Sequence, residues 1–333
     1  MTAPAAAGEP GRRPLVLLTG PLHAPARQRI EAVAEVRLVP DTQPDTLRRL
    51  VRDADVLVVR SNLPADLLDH APRLRAIVRP GVGVDMIPVA AATARGIPVA
   101  NVPGSNRQAV AEHVITALGV LLRRQHRMDA LLHSEGWAAS RALADGAGEL
   151  ARQTIGIVGV GSIGLRVAEI AHHGYRMQVL GHQRRLEGLP AFVEGCALDE
   201  LLARSRFVVL TCPLTEATRG LLDARRIGLL RRDALLVNVS RGAIVDEAAL
   251  VDALRGQRIA GAALDVFVQQ PLPEGHALLA LPNVLLTPHA AGLTEESMAA
   301  MSDGAADEVV RVLRGEGVRN GVDLSVDGAH GRA

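Results

Sequence analysis

The sequence predicts an α/β chain made of two doubly wound parallel-sheet domains. Three observations carry that expectation. Short apolar runs alternate with helix-like stretches from end to end, which is the rhythm of βαβ units. The alternation runs twice, once on each side of a long amphipathic stretch. The 333 residues are also enough for two ordinary domains with sizeable cores.

The first series places strands at residues 15–18, 36–39, 56–59, 76–78 and 98–102. Helix-like stretches at 26–33 and 46–51 lie between them. One long helical pattern then runs from about Arg107 to Leu132. The Ala- and Gly-rich "SEGWAASRALADGAGELAR" after it reads as a loop. The second series places strands at residues 154–158, 178–180, 207–211, 235–239, 260–266 and 284–287. A helical tail over roughly 295–314 closes it.

Composition narrows the function classes. Hydrophobic residues make up 48% of the chain but aromatics only 2%, so the core is aliphatic. A stacking platform for single-stranded nucleic acid needs exposed aromatics and is not expected. The 37 basic residues nearly balance 36 acidic ones, which gives no bulk signal for nucleic acid or membrane. Every one of those basic residues is arginine. A Schiff-base lysine and a Walker-type phosphate lysine are therefore excluded. Cys196 and Cys212 make neither a disulfide framework nor a zinc pattern, so no metal and a cytoplasmic location are expected. Residues 1–13 read as a flexible leader without an apolar signal core. No stretch approaches the ~20 apolar residues of a membrane span.

One turn carries chemistry. "TIGIVGVGSIGLRVAEIA" holds Gly159, Gly161 and Gly164 in a G-x-G-x-x-G spacing, after an apolar strand and at the start of a helix. Gly159 permits the tight turn, Gly161 a close approach of a pyrophosphate to the backbone, and Gly164 tight helix–sheet packing. The helix N-terminus adds amide donors and a positive dipole end. About 20 residues on, an acid normally binds the ribose 2′-hydroxyl of NAD. Here "GHQRR" places Gln183 there, followed by Arg184 and Arg185. Glutamine does not repel a 2′-phosphate, and arginine binds one through charge-assisted bonds. The stretch favours NADP(H). The alternative is a solvated surface turn with NAD(H) accepted.

Seven stretches in order resemble the D-isomer-specific 2-hydroxyacid dehydrogenases: "RPGVGVDMIPV", "GIPVANVPGSNRQAVAEHV", "GIVGVGSIG", "LTCPLTEATRGLL", "LVNVSRGAIVDEAAL", "GAALDVF" and "LLTPHAAG". The resemblance covers nearly the whole chain. It implies two Rossmann-like domains with an interdomain active-site cleft. Residues 14–106 with 293–333 would form the substrate-binding domain and 107–292 the dinucleotide-binding domain. It also implies a homodimer built on the helix that starts near Arg107.

The family's catalytic trio is Arg, Glu and His. By resemblance Arg241 in "VNVSRG" is the arginine, whose fork suits a 2-oxo-carboxylate. His289 in "TPHAAG" is the histidine, a proton donor to the carbonyl oxygen in one direction and a base in the other. The third position departs from the pattern. "DVFVQQP" puts Gln270 where most members have glutamate. A carboxylate would stabilise the imidazolium; Gln270 orients the ring without charge. His172 and His173 read as structural or solvated rather than as a metal site.

Other positions follow by resemblance. Val82 and Gly83 match a loop whose backbone amides hold the substrate carboxylate. Arg60 matches an anion-binding arginine of some members, or is a surface arginine. Ser162, Ile163, Gln183, Cys212, Pro213, Val239, Ser240, Asp265 and Gly292 match cofactor contacts, as do Val82 and His289. Asp265 would lie near the nicotinamide carboxamide, or act as a structural cap. The implied activity is hydride transfer between a nicotinamide cofactor and a small D-2-hydroxy acid/2-oxo acid pair, most readily as a reductase. Two alternatives stand beside it. Formate dehydrogenases of the family carry Gln at the place of Gln270, and Asn106 matches their asparagine. Corepressors related to the family use the fold as a dinucleotide-sensing module.

Overall fold

The computed structural model describes residues 12–322 and falls into two units, Met1–Asn106 with Leu293–Ala333, and Arg107–Gly292. The first unit begins β1 (Leu15–Leu18), α1 (Ala24–Glu31), β2 (Glu35–Leu38), α2 (Pro44–Leu50) and β3 (Val56–Val58). It continues with β4 (Ala76–Val78), α3 (Val89–Ala94) and β5 (Val99–Ala100). The second opens on α4 (Arg107–Leu122), α5 (Gln125–Ser134) and α6 (Trp137–Ala142). Then come β6 (Thr154–Val158), α7 (Ser162–Glu169), β7 (Gln178–His182), β8 (Val193–Gly195) and α8 (Leu198–Arg204). It ends with β9 (Phe207–Leu210), α9 (Ala224–Ile227), β10 (Leu235–Asn238), α10 (Glu247–Arg255), β11 (Gly261–Leu264) and β12 (Val284–Leu286). Helix α11 (Glu295–Leu313) returns to the first unit.

Both sheets are parallel. The first unit has the order β2-β1-β3-β4-β5, the second β12-β11-β10-β9-β6-β7-β8. Each reverses direction once, between β1 and β3 and between β6 and β9, so each is doubly wound. Their central strands are buried on both faces, which is why they read as continuous Val, Leu and Ile runs.

Period-two alternation sorts the side chains of the larger sheet. Ile155, Ile157, Phe207, Val209, Leu235 and Val237 pack on one face beneath Val114, Leu118 and Leu121 of α4 and Val167 of α7. Val158, Val208, Leu210, Leu236 and Leu264 pack on the other with Leu201 of α8 and Leu250 and Leu254 of α10. Removing one such fully buried leucine, as in Leu236→Ala, costs about 2–5 kcal/mol.

Helix α11 is set by its own sequence. Thr294 caps it and exchanges bonds with Ser297, while Glu295 and Glu296 sit in its first turn. Met301, Ala305, Ala306, Val309 and Val312 form its buried face. Gly304 lets it approach Val102, whose Cγ1 would stand 2.4 Å from a Cβ. Buried Glu308 accepts hydrogen bonds from Arg319 N (2.8 Å) and Asn320 N (3.0 Å), which fixes the chain after the helix.

Three local expectations change. The long helix after Arg107 is two helices: Arg124 adopts φ 53°, and its guanidinium donates to the carbonyls of Leu143 (3.2 Å) and Asp145 (3.1 Å). The segment read as a loop contains α6, started by Gly136 at φ 83° and held by a Ser140 hydroxyl bond to Met128 O (2.8 Å). The short edge strand β8 has no run of apolar residues to announce it. The expected flexible leader falls outside the described residues except for Arg12 and Arg13. Those two are tied down, Arg12 to Asp55 and Arg13 to the Glu31 carbonyl. Among the described residues no helix is long and apolar enough to cross a membrane.

Candidate active site

All the sequence-selected residues of the second unit follow the carboxyl ends of its strands. Gly159 follows β6, Gln183 β7, Cys212 β9, Val239 and Ser240 β10, Asp265 β11 and His289 β12. In a doubly wound sheet this edge is where ligands bind.

Two glycines of the turn have steric reasons and the third does not. Gly159 has φ 96°, and a Cβ there would lie 2.6 Å from Cys212 N and Cα. Gly164 lies so close to the turn that a Cβ would meet Gly159 O at 2.1 Å. Gly161 is different: a Cβ there would meet nothing within 4 Å. Its missing side chain leaves open space at the start of α7, where Ser162 and Ile163 present the first-turn amides. A dinucleotide pyrophosphate fits that cradle.

Beyond β7 the Gln183 side chain donates from Nε2 to Arg185 O (2.8 Å). Arg184 and Arg185 are exposed in the same turn. Cys212 packs under Gly159; burial pushes its thiol up to about 11. Its carbonyl accepts from the Ser240 hydroxyl, and the Pro213 carbonyl accepts from Thr218 Oγ1 (2.6 Å). Asn238, not singled out from the sequence, braces the turn after β10. Its Oδ1 accepts from Ser240 N (3.0 Å) and its Nδ2 donates to Arg241 O (3.0 Å).

The three candidate catalytic residues stand on neighbouring strand ends. Arg241 begins a short turn after β10, and one guanidinium nitrogen donates to Ser240 O (2.7 Å). Gln270 follows β11 and precedes a cis bond to Pro271. Its Oε1 lies 3.1 Å from His289 Nδ1, and its Nε2 is turned toward Phe267 O (3.4 Å). That orientation makes the amide oxygen the acceptor and Nδ1–H the donor. His289 is exposed and holds φ 54°, a left-handed conformation uncommon for a non-glycine residue.

Asp265 explains that backbone. It is 2% exposed, and its carboxylate accepts from Thr287 Oγ1 (2.6 Å), Ala290 N (2.8 Å) and Ala291 N (3.0 Å). The His289 amide donates to Asp265 O (2.8 Å). Asp265 therefore caps the histidine turn, the second of the two roles its sequence context offers. Gly292 closes the same loop.

In the first unit, three consecutive carbonyls of the "PGVGVD" loop bond to groups of that unit. Gly81 O accepts from Val102 N (2.9 Å), Val82 O from Asn101 Nδ2 (2.8 Å) and Gly83 O from Arg79 Nε (3.2 Å). The Val82 and Gly83 amides make no hydrogen bond within the described residues. Arg60 is half-buried after β3. Its guanidinium contacts Pro21 O (3.3 Å) and Met298 Sδ (3.0 Å), with no carboxylate partner among the described residues. Desolvation without a counter-charge pushes its pKa below the usual arginine value.

A family model described as D-isomer specific 2-hydroxyacid dehydrogenase, NAD binding domain, matches residues 115–291. The chain is 37% identical to a glyoxylate reductase from Aeropyrum pernix over 95% of this chain and 97% of that protein. It is 36% identical to a D-3-phosphoglycerate dehydrogenase from Methanocaldococcus jannaschii over 93% of this chain but only 59% of that longer protein. An NADPH-dependent glyoxylate/hydroxypyruvate reductase from Sinorhizobium meliloti, solved with NADP and malonate, superposes with a TM-score of 0.83 at 30% identity. That match covers 97% of this chain and 99% of that one. The chain belongs to the D-isomer-specific 2-hydroxyacid dehydrogenases, oxidoreductases that use a nicotinamide cofactor and act on the CH–OH group of their donors.

Proposed function

We propose that the protein reduces a small 2-oxo acid to the D-2-hydroxy acid, with NADP(H) preferred over NAD(H). The observation that carries this reading is the His289–Gln270 pair at 3.1 Å, on the sheet edge that also holds Arg241 and the glycine turn. A nicotinamide cofactor, held at the glycine turn, would supply the hydride for the carbonyl carbon. His289, as the imidazolium, gives its Nε2 proton to the carbonyl oxygen; in the reverse direction the neutral ring takes it back. Gln270 Oε1 accepts from Nδ1–H in both states, so the ring keeps its orientation. Arg241 is assigned to the substrate carboxylate and carbonyl oxygen, and its planar fork matches both. The Val82 and Gly83 amides and Arg60 are assigned to the substrate anion. On this reading residues 14–106 with 293–333 bind substrate and 107–292 bind the dinucleotide.

NADP(H) preference rests on the turn after β7. No carboxylate stands at Gln183, and its amide braces the backbone that carries Arg184 and Arg185. The Sinorhizobium meliloti relative is NADPH-dependent. A homodimer is supported by the helices after α4: α5 buries none of its residues, and Trp137 on α6 is 75% exposed. Two free cysteines fit the cytoplasm. Formate oxidation is the second reading: Gln270 and Asn106 match that branch, and the reaction releases carbon dioxide without a proton donor.

Steady-state oxidation of NADPH and NADH with glyoxylate, hydroxypyruvate and phenylpyruvate tests the activity and the cofactor preference. Turnover with NADPH above NADH is expected. Turnover with NADH alone would refute the cofactor assignment. Oxidation of formate with no 2-oxo acid reduced would replace the main reading.

A further inference from the structure

Gln270 reaches His289 from a loop with little secondary structure, and one acidic side chain outside the catalytic set fastens that loop at both ends. Glu247 is the first residue of α10, directly after the cap Asp246. Its Oε2 accepts from Val268 N (3.3 Å), two residues before Gln270. Its Oε1 lies 3.3 Å from His276 Nε2, beyond Gln270 on the far side of the loop. His276 Nδ1 accepts from Leu278 N (3.3 Å), so its proton is on Nε2 and points at Glu247. Each carboxylate oxygen therefore takes a donor from a different end of the stretch that contains Gln270. Both side chains are only 22% exposed, which strengthens the pair over a surface one.

The same loop is pressed against the arginine turn. A Cβ on Gly242 would lie 2.1 Å from Phe267 C and 2.3 Å from Val268 N. Gly242 follows Arg241, so the arginine turn and the glutamine loop share one backbone contact. Glu247 secures the peptide that lies in it.

We propose that Glu247, together with His276, is a positioning residue for the proton-transferring histidine, acting through the loop that carries Gln270. The inference rests on the catalytic reading of His289 and Gln270 above. Glu247 touches neither substrate nor cofactor in this assignment. It sets where the Gln270 amide stands, and the amide sets the ring.

A double-mutant cycle with an independent spectroscopic readout tests it. Glu247→Ala is expected to lower kcat by about ten- to a hundredfold, the scale on which small misplacement of a reacting group costs rate. The KM for the reduced cofactor should move by no more than about twofold, because the glycine turn is untouched. In a Gln270→Ala background the same change should cost less than about twofold more, since its route is already removed. Glu247→Gln keeps one oxygen acceptor and should fall between. His276→Ala should mimic the partial loss if the alanine variant at 247 does not fold. In protein labelled with 15N-histidine, the His289 ring signals, identified by their loss in His289→Asn, should move in Glu247→Ala as they do in Gln270→Ala. Fully additive rate losses, or unmoved His289 signals in a folded Glu247 variant, overturn the proposal. If wild-type protein reduces no 2-oxo acid, the functional reading fails while the ring signals still decide the clasp.

Discussion

In the seven-stranded sheet the order reverses between β6 and β9, and the turn after β6 carries Gly159, Gly161 and Gly164. In the five-stranded sheet it reverses between β1 and β3, and the turn after β1 is Thr19, Gly20 and Pro21. The topology offers a ligand crevice at both places. The larger sheet keeps its crevice open: among the described residues, a Cβ on Gly161 would meet nothing within 4 Å beyond its own turn. The smaller sheet fills its own. A Cβ on Gly20 would stand 3.0 Å from Arg60 Cβ, and the arginine bonds to Pro21 O across the turn. Helix α1 has a proline in its first turn, which removes an amide donor, and the His23 amide is spent on Ser302 Oγ (3.1 Å). Strand order says where a ligand can go; the turn says whether it meets amides and space or a fixed cation. On the proposed reading, the same architecture yields a dinucleotide cradle once and an anion-holding arginine once.

Removing chemistry from the larger sheet should cost most. His289→Asn is expected to lower kcat by about 10²–10⁴-fold, with NADPH binding by fluorescence titration nearly unchanged. An equal loss of cofactor binding would show that the histidine turn, not the proton, had been disturbed. Next comes the open crevice. Gly161→Ala adds a methyl that meets no protein atom, so the melting temperature should hold while NADPH affinity falls by roughly tenfold or more. Unchanged affinity would refute the cradle and remove half of the comparison.

The filled crevice should answer more weakly. Arg60→Gln keeps hydrogen bonding but removes the charge, and the KM for an anionic 2-oxo acid should rise by about five- to tenfold with kcat less affected. No change would make Arg60 a packing residue, and the two crevices would then differ in shape alone. Gln270→Glu sharpens the chemistry of the larger sheet. A carboxylate about 3 Å from Nδ1 stabilises the imidazolium, so the alkaline limb of the reduction profile should move up by about one pH unit relative to wild type. Identical profiles would mean that the ring is not the titrating donor.

Local signals were readable in the sequence, and distant partnerships were not. The glycine turn could be placed because strand, turn and helix are contiguous in the chain. The central strand runs were equally plain, since central strands of a parallel sheet are apolar on both faces. The break at Arg124 was hidden because its cause is a bond to carbonyls beyond α5. Asp265 offered two roles, and the bonds that make it a cap come from Thr287, Ala290 and Ala291 at the β12 end, which no spacing near Asp265 announces. Glu247 lies within one of the family-like stretches but was not singled out. Its partners Val268 and His276 are brought to it by the path of the chain around β11, which no spacing in the sequence encodes.

The smallest effect concerns the wall between crevice and core. Cys212 is buried under Gly159, and its thiol is pushed from 9.0 up to about 11 by loss of solvation. Cys196 is buried too and shifts in the same direction. Neither thiolate forms appreciably near neutral pH, so iodoacetamide at pH 8 should leave both unmodified in the folded protein and label both in denaturant. The sign for stability follows. An unfolded thiol ionises near 9, whereas the folded Cys212 holds its proton until about 11. The stabilisation is complete below the first value and drains away as pH climbs through the second. A melting temperature that falls between pH 9 and 11, and falls less in Cys212→Ala than in wild type, would place that loss at this wall. Rapid alkylation of Cys212 at pH 8 would mean the floor of the crevice opens to solvent, and the contrast with the filled crevice of the smaller sheet would extend from the turn into the core.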